Sequence, residues 1–497
     1  MSDTQTTGLD PGNDALIKSY NDVAYTSLPD AARHPARLAT IGTLFGLDVA
    51  PLADCRILEL ACGDGLNLVP IAATLPNATL VGFDYAARPV ARAQAMARDL
   101  GLTNVELLQL DLRELPADLG QFDYIIAHGL YSWIPADVRV HVLPLIARHL
   151  APNGVAFVSY NTLPGCHMRR AVWEMLKYHT RDLPEMPAKV AAARSLLKLV
   201  ATPVTTEDAT QQAMRAEIRS ASVSSEAALA HDDMSEPNDP VYFHEFMADA
   251  ARAGLTFLAE ARLGTMMGSG LAPEVRRALG PLDRLAREQY LDFIHFRRFR
   301  ESLLCHANAL TRFVVQPPRV LGMHVSASLS LRRAADSEAS NTAASSEVDV
   351  LKQFLLARWP HSVTVTELAE WRKRTMPAAP AGSSIQPLEL LLTELYVAGL
   401  VELRTMPVAV AAVAGDRPQA FAAARWINQE HEVIPNLYHE ALRHQDPIGQ
   451  KLLALLDGTR TREQLIEATG DSFSGPAGRA RLDDVLAILA RKALLVK

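Results

Sequence analysis

The sequence predicts an α/β protein: a doubly wound, Rossmann-like sheet with a helical insertion, followed by two small α+β modules of winged-helix type. Three observations predict it. Strand and helix signals alternate with short loops through the first third of the chain, the pattern of a parallel sheet with helices on both faces. An Ala-rich helical stretch over about 181–240 then interrupts the alternation. Two C-terminal segments each repeat helix, short helix, long helix and apolar strand, the order of a winged-helix unit.

The elements follow in order. Arg56 to Leu60 is a short apolar strand, followed by a glycine turn and a helix around Leu66 to Thr74. Ala78 to Phe83 is the second strand, and the helix after it, Ala87 to Leu100, ends at Gly101, a residue suited to a left-handed cap. Val105 to Leu110 and Phe122 to Ala127 are further strands; a helix over Ala136 to Leu150 precedes the strand Val155 to Tyr160. After the insertion, Phe246 to Ala253 reads as a helix and Leu255 to Ala261 as a strand. Phe299 to Leu304 is the expected last strand, antiparallel at the far edge of the sheet.

These elements set the expected domains: a catalytic unit over 14–330, and modules over 347–405 and 420–497. The joints are Ser337 to Glu347, Met376 to Ser384 and Val413 to Gln419, rich in Ser, Ala, Gly and Pro. A DNA-reading winged helix needs a basic face. From Glu347 to Arg404 there are six Lys/Arg against seven Asp/Glu, and from Glu440 to Lys497 nine against eight. Protein contact or a homodimer is therefore expected of the modules, and nucleic acid is not.

Composition agrees. The 497 residues carry 49 Lys+Arg against 56 Asp+Glu, a net charge of −7, which argues against binding nucleic acid by bulk charge. The four cysteines form no CxxC pair, and there is neither an HExxH nor a zinc-spaced Cys/His cluster, so no metal is expected. The residues from Met1 to Asn13 have no basic or apolar signal region, and no apolar run approaches the roughly 18 residues of a membrane span. A cytoplasmic protein with no membrane partner is expected.

The chemistry begins at Ile57 to Asn67 (ILELACGDGLN), where a strand runs through small residues into a helix. Gly63 and Gly65 allow close backbone approach to a ligand. A dinucleotide fingerprint would place glycine at position 68, which is Leu68, and Asp64 would repel a phosphate. S-adenosylmethionine has no phosphate and carries a sulfonium, which suits acidic neighbours. Asp84 closes the second strand nineteen residues past Gly65, where a carboxylate accepts from both ribose hydroxyls. Asp111 closes the third strand, placed for the adenine amino group, with Leu110 and Leu112 flanking the ring. The expected cofactor set is Glu59, Ala61, Gly63, Gly65 and Asn67 from the turn, with Asp84, Tyr85, Asp111, Leu112 and His128.

With these residues the chain resembles the class I S-adenosylmethionine-dependent methyltransferases. Within them it is similar to bacterial proteins with a methyltransferase regulatory domain, an architecture shared with rickettsial-type protein-lysine methyltransferases. The resemblance rests on Tyr20 to Tyr25 (YNDVAY), Ile57 to Asn67, Phe122 to Trp133 (FDYIIAHGLYSW) and Val158 to Gly165 (VSYNTLPG). It continues through Asp239 to Phe246 (DPVYFHEF), Arg297 to Cys305 and Asp457 to Thr461. Ala61 departs from it, since the general motif has glycine there. The resemblance implies S-adenosylmethionine as cofactor, methyl transfer as reaction and a protein lysine as acceptor. A small-molecule acceptor, or a cofactor-sensing regulator without turnover, remains open.

Methyl transfer requires a neutral nucleophile about 3 Å from the methyl carbon and a route for its proton. Groups at the carboxyl ends of strands four and five stand over the cofactor. His128 can orient or deprotonate the nucleophile, or serve as a hydrogen-bonded loop residue. Tyr131 and Trp133 can form an aromatic wall, and Tyr160 and Asn161 can accept from an ammonium group. Tyr20 and Tyr25 are candidates for a lid, with Tyr25 counted among the catalytic set. His244 and Glu245 read as a helix N-terminal pair. The acidic run Asp232, Asp233, Glu236 and Asp239 reads as a solvated loop, with a Lys- or Arg-rich substrate as its functional alternative. Arg297, Arg298 and Arg300 read as alternately exposed, or as a patch for an acidic substrate.

Overall fold

The computed structural model describes residues 28–202, 208–268, 270–309, 313–337, 346–375, 386–473 and 475–497. Tyr20, Tyr25, and most of the expected joints at 337–347 and 376–384 lie outside them.

Seven strands form the central sheet: β1 (Arg56–Leu60), β2 (Thr79–Asp84), β3 (Val105–Gln109), β4 (Phe122–Ala127), β5 (Leu150–Asn161), β6 (Leu255–Glu260) and β7 (Phe299–His306). Their order is β3-β2-β1-β4-β5-β7-β6. β1 to β5 pair in parallel, and β7 runs antiparallel to both β5 and β6. The expected antiparallel strand is therefore present but not at the edge; β7 inserts between β5 and β6, and β6 takes the edge. Helices cover both faces, so the central strands bury consecutive residues: Ile57, Leu58, Glu59 and Leu60 on β1 are all buried. Strand order reverses between β1 and β4, and a ligand crevice opens at such a point beyond the carboxyl ends of the strands.

The helices of this layer are α1 (Pro35–Phe45), α2 (Leu68–Thr74), α3 (Ala87–Asp99) and α4 (Val142–His149). α3 stops as expected at Gly101, whose φ is +65°. The insertion starts earlier than residue 181, at α5 (Cys166–Thr180), and continues through α6 (Met186–Val200), α7 (Ala209–Ser222) and a π turn at Leu229–Asp233. It packs its own small core, in which Val172, Leu176, Val190, Leu197, Ile218 and Leu229 are buried. α8 (Phe243–Arg252) and α9 (Arg284–His295) flank the β6 side.

A three-stranded antiparallel sheet follows, β10-β8-β9, formed by β8 (His324–Ala327), β9 (Val363–Thr364) and β10 (Val401–Arg404). Val325 of β8 faces Leu403 on one side and Val363 on the other. β8 lies within the range expected for the catalytic unit, yet its partners belong to the first C-terminal module. The reason is pairing: without β8, β9 and β10 would have no common neighbour. In the last module, β11 (Val433–Pro435) pairs with β12 (Ala441–Arg443), and Ala420 bridges to Leu495 beyond the final helix. No helix of the described residues is long and apolar enough to cross a membrane.

Candidate cofactor and acceptor site

The β1–α2 turn makes the site's floor. Ala61 and Gly63 have φ of +57° and +55°, and Gly65 has +73°. The two glycines serve different ends. A Cβ on Gly63 would meet nothing within 4 Å, so that backbone stays open for a ligand, whereas one on Gly65 would lie 2.7 Å from Ala93 Cβ on α3. Gly65 thus lets α3 pack against the turn. Ala61 keeps its Cβ in a left-handed conformation, which costs an L-residue roughly 1–2 kcal/mol relative to glycine.

Asp84, at the end of β2, fixes the opposite wall. Its carboxylate accepts from the Gly63 amide at 2.9 Å and the Ala86 amide at 2.8 Å. Burial raises its pKa above the ordinary carboxylate value, against the pull of those backbone donors. Asp111 closes the third side; its two oxygens take Arg113 Nε at 3.1 Å and Nη2 at 2.7 Å, and its pKa is lowered, burial opposing and Arg113 prevailing.

Ala61, Gly63, Asp84 and Asp111 line a cavity of about 580 Å³, within the usual range for a small-molecule site. Ala61, Gly63, Asp84, Tyr85, Asp111, Leu112 and His128 of the expected cofactor set lie on its wall. Glu59, Gly65 and Asn67 do not. Glu59 is buried behind the turn, where Asn67 Nδ2 donates to its Oε1 at 2.8 Å, and burial pushes its carboxyl up to about 7. His439, from the last module, reaches Asn67 Oδ1 with Nε2 at 2.8 Å. Since the Asn67 amide nitrogen already faces Glu59, Asn67 Oδ1 accepts from His439. Nothing in the primary sequence pointed to His439.

Among the expected catalytic residues, His128 and Asn161 line the cavity. Tyr131 and Tyr160 are not brought there. Side chains alternate along a strand: Ser159 and Asn161 face the site, and Tyr160 between them faces away, fully buried against Phe246 with its hydroxyl 3.1 Å from Ser302 Oγ. Tyr131 donates to Asp249 on α8 at 3.0 Å and packs edge-on to Phe246. Both tyrosines are core residues. Trp133 does reach the cavity; it is 8% exposed, and its indole N–H has no partner among the described residues.

His128 is held from behind. The Gly129 amide donates to Ser159 Oγ at 3.1 Å, and that oxygen lies 2.9 Å from His128 Nδ1. The Ser159 hydroxyl thereby links the Gly129 amide to the ring and fixes the orientation of the imidazole. Burial, then Arg33 and Arg262, hold the imidazole pKa well below its usual value, so the ring is neutral.

The remaining wall comes from the insertion, and here the solvated-loop expectation is corrected for two residues. Asp233 is 2% exposed; Arg169 donates to it through Nε at 2.7 Å and Nη2 at 2.8 Å, and Trp173 Nε1 at 2.9 Å. Asp232 beside it is half-buried and also lines the cavity, its carboxyl pushed up to about 7 by burial and by Asp233. The π turn at Leu229–Asp233 turns both acids inward. Glu236 and Asp239 stay outside, paired with Lys177 at 2.8 Å and Arg139 at 3.5 Å. The arginine patch is also corrected. Arg300 is 1% exposed and bound to Glu260, Glu288 and Asp292, while Arg298 reaches Glu217 at 2.7 Å and lines the cavity. Arg297 pairs with Asp292 at 3.2 Å. His244 and Glu245 form the start of α8, Glu245 accepting from the Tyr242 amide at 2.9 Å. The four cysteines are buried and unpaired. Among the described residues no group of three or more His, Cys, Asp or Glu is arranged to hold a metal ion.

Comparison with known proteins gives three family matches: "Methyltransferase domain" over residues 57–154, "Predicted methyltransferase regulatory domain" over 225–306, and "PKMT, C-terminal winged helix domain" over 416–474. The uncharacterized protein RP789 of Rickettsia prowazekii (strain Madrid E) is 37% identical over 289 residues, 58% of this chain and 52% of that protein. The uncharacterized protein RP028 of the same organism is 33% identical over 237 residues, 47% of this chain and 94% of that protein. The chain thus spans about half the length of the first relative and nearly all of the second. Among solved structures, PKMT2 from Rickettsia typhi in complex with AdoHcy matches at a TM-score of 0.80 and 23% identity, over 95% of this chain and 100% of that one. At that identity the match speaks for the fold.

Proposed function

The chain belongs to the class I S-adenosylmethionine-dependent methyltransferases that carry a methyltransferase regulatory domain, and from that premise we propose that it methylates an amine on a protein, a lysine side chain. The observation that carries the reading is the acid set of the 580 Å³ cavity, with Asp84 and Asp111 at the strand ends and Asp232 and Asp233 on the insertion wall. Such a wall suits a sulfonium and a cationic acceptor, and disfavours a phosphate. The cofactor fits the floor on two counts: Gly63 leaves open space where a side chain would stand, and Asp84 is fixed by two amides at the point where a carboxylate takes ribose hydroxyls. S-adenosylmethionine supplies an electrophilic methyl group when bound.

This chain's own residues do the rest. Gly63 and Asp84 would hold the nucleoside end, with Tyr85, Asp111 and Leu112 along its edge. His128, neutral and anchored to Ser159 Oγ through Nδ1, acts as an orienting residue on the cavity wall rather than as a base. Trp133 and Phe299 narrow the cavity beside Asn161, excluding water from the reacting amine. Two facts support a protein acceptor: the winged-helix match described as PKMT over 416–474, and the fold match to PKMT2. We divide the chain into a catalytic unit with its insertion and two C-terminal modules, the seam falling before His324 because β8 pairs outside the main sheet. The unpaired thiols fit a reducing cytoplasm.

The test is incubation of cell lysate with the enzyme and methyl-labelled cofactor, followed by gel separation and acid hydrolysis of labelled bands. The reading expects label in protein, recovered as methyllysine. Label confined to the low-mass fraction would assign a small-molecule acceptor instead.

A further inference from the structure

A second cavity of about 1110 Å³ lies beyond the first, walled by the segment before α1, by Arg262 to Thr265, and by the two C-terminal modules. The linings of the two cavities share two residues, His128 and Asp232. One cavity holds the cofactor-binding strand ends; the other opens toward the two C-terminal modules, the last of which matches a winged-helix domain over residues 416–474. We propose that the second cavity admits the acceptor's aliphatic amine side chain and that Asp232, at the junction, is the catalytic residue that binds its ammonium group and takes its proton. This rests on the protein-lysine reading and names the residue that makes it work.

Several observations converge on Asp232. Its neighbour Asp233 is saturated by Arg169 and Trp173, whereas the Asp232 carboxylate has no hydrogen-bond partner among the described residues. The indole N–H of Trp133, over nine-tenths buried on the wall of the same cavity, also has no partner among them. An unpartnered carboxylate and an unpartnered donor on the wall of one cavity indicate a polar ligand there. An alkylammonium group supplies the donors the carboxylate lacks, and the nitrogen, once neutral, keeps its one lone pair for the methyl carbon. His128, the other shared residue, is unsuited to take the proton, because burial, and then Arg33 and Arg262, oppose a positive charge on its ring. The carboxyl of Asp232 stands close to neutrality, where a proton acceptor is most effective.

The step balances simply. One N–H bond of the ammonium breaks, the proton passes to a carboxylate oxygen of Asp232, and the nitrogen keeps the electron pair that attacks the methyl carbon. The carboxylic acid then returns its proton to water.

The experiment is calorimetric titration of Nα-acetyl-lysine N-methylamide into the full-length protein saturated with S-adenosylhomocysteine, for wild type, Asp232→Asn and Asp232→Ser. The wild type is expected to bind saturably, and both variants at least tenfold more weakly, with S-adenosylhomocysteine affinity unchanged; two neutral replacements guard against one misfolding. Equal amine affinity in a folded variant overturns the proposal, and so does absence of saturable binding by the wild type. A wild type that binds the amine through Asp232 but labels no protein in lysate would leave the proposal standing and remove the protein-acceptor reading.

Discussion

Gly63 and Gly65 stand two residues apart in one turn, and both have positive φ, so alanine at either pays the left-handed strain of roughly 1–2 kcal/mol. They differ in what the new methyl group meets. At Gly65 it would press on Ala93 of α3 at 2.7 Å, and at Gly63 it would enter the open cavity. Gly65→Ala is expected to lower Tm more than Gly63→Ala. Gly63→Ala is expected to lower S-adenosylhomocysteine affinity at least tenfold, as read by thermal melts and calorimetry on both variants. Tyr131 gives a complementary case. Its hydroxyl is committed to Asp249, and a hydrogen bond to a charged partner contributes about 1.5–3 kcal/mol. Tyr131→Phe should therefore destabilise the protein by about that amount while keeping methyl transfer within a few-fold of wild type. A loss of turnover without loss of stability would return Tyr131 to the active site.

At the scale of elements, what could be read from the sequence was whatever lies within one segment. β4 is Phe122–Ala127 in both expectation and structure, and α3 ends where Gly101 stops it, because hydrophobic runs and caps are local signals. The face of β5 was not legible in the same way. Tyr160 and Asn161 are adjacent and both polar enough for a site, and only the packing of α8 decides that Phe246 claims the tyrosine. The run from His231 to Asp239 reads as solvated because four acids fall within eight residues, yet the π turn sends Asp232 and Asp233 inward and leaves Asp239 outside.

His439 belongs to a contact no local pattern can announce, spanning from the last module to the cofactor turn. Burial, reinforced by Arg33, depresses its pKa from 6.5 to about 3. Between these values the unfolded chain binds more protons, so stability rises with pH through that window and falls as pH drops below 6.5. His439→Gln, which retains a donor for Asn67, should lose less Tm between pH 7 and pH 5 than wild type does. An identical loss in both proteins would show that His439 is not held neutral by the fold.

Across the whole molecule, the C-terminal modules are docked on the helices that flank the central sheet. Arg37 of α1 pairs with Glu402 on β10 at 2.9 Å, Trp426 Nε1 donates to Asp99 at the end of α3 at 2.9 Å, and Arg92 pairs with Glu430 at 2.6 Å. Their near-neutral charge, visible from composition, points away from DNA and toward protein. Their docking over the second cavity could not be read from composition, since it depends on contacts more than 300 residues apart in the chain, as the Arg37–Glu402 pair illustrates. Both cavities meet at His128 and Asp232, and the first presents the strand ends proposed to hold the cofactor. Asp84 is the residue on which that depends most. Calorimetric titration of S-adenosylhomocysteine into the wild type and Asp84→Ala, at equal fold stability, should show saturable one-to-one binding by the wild type and at least a tenfold weaker constant for the variant; equal affinity in the two would contradict the placement of the cofactor and the mechanism built on it.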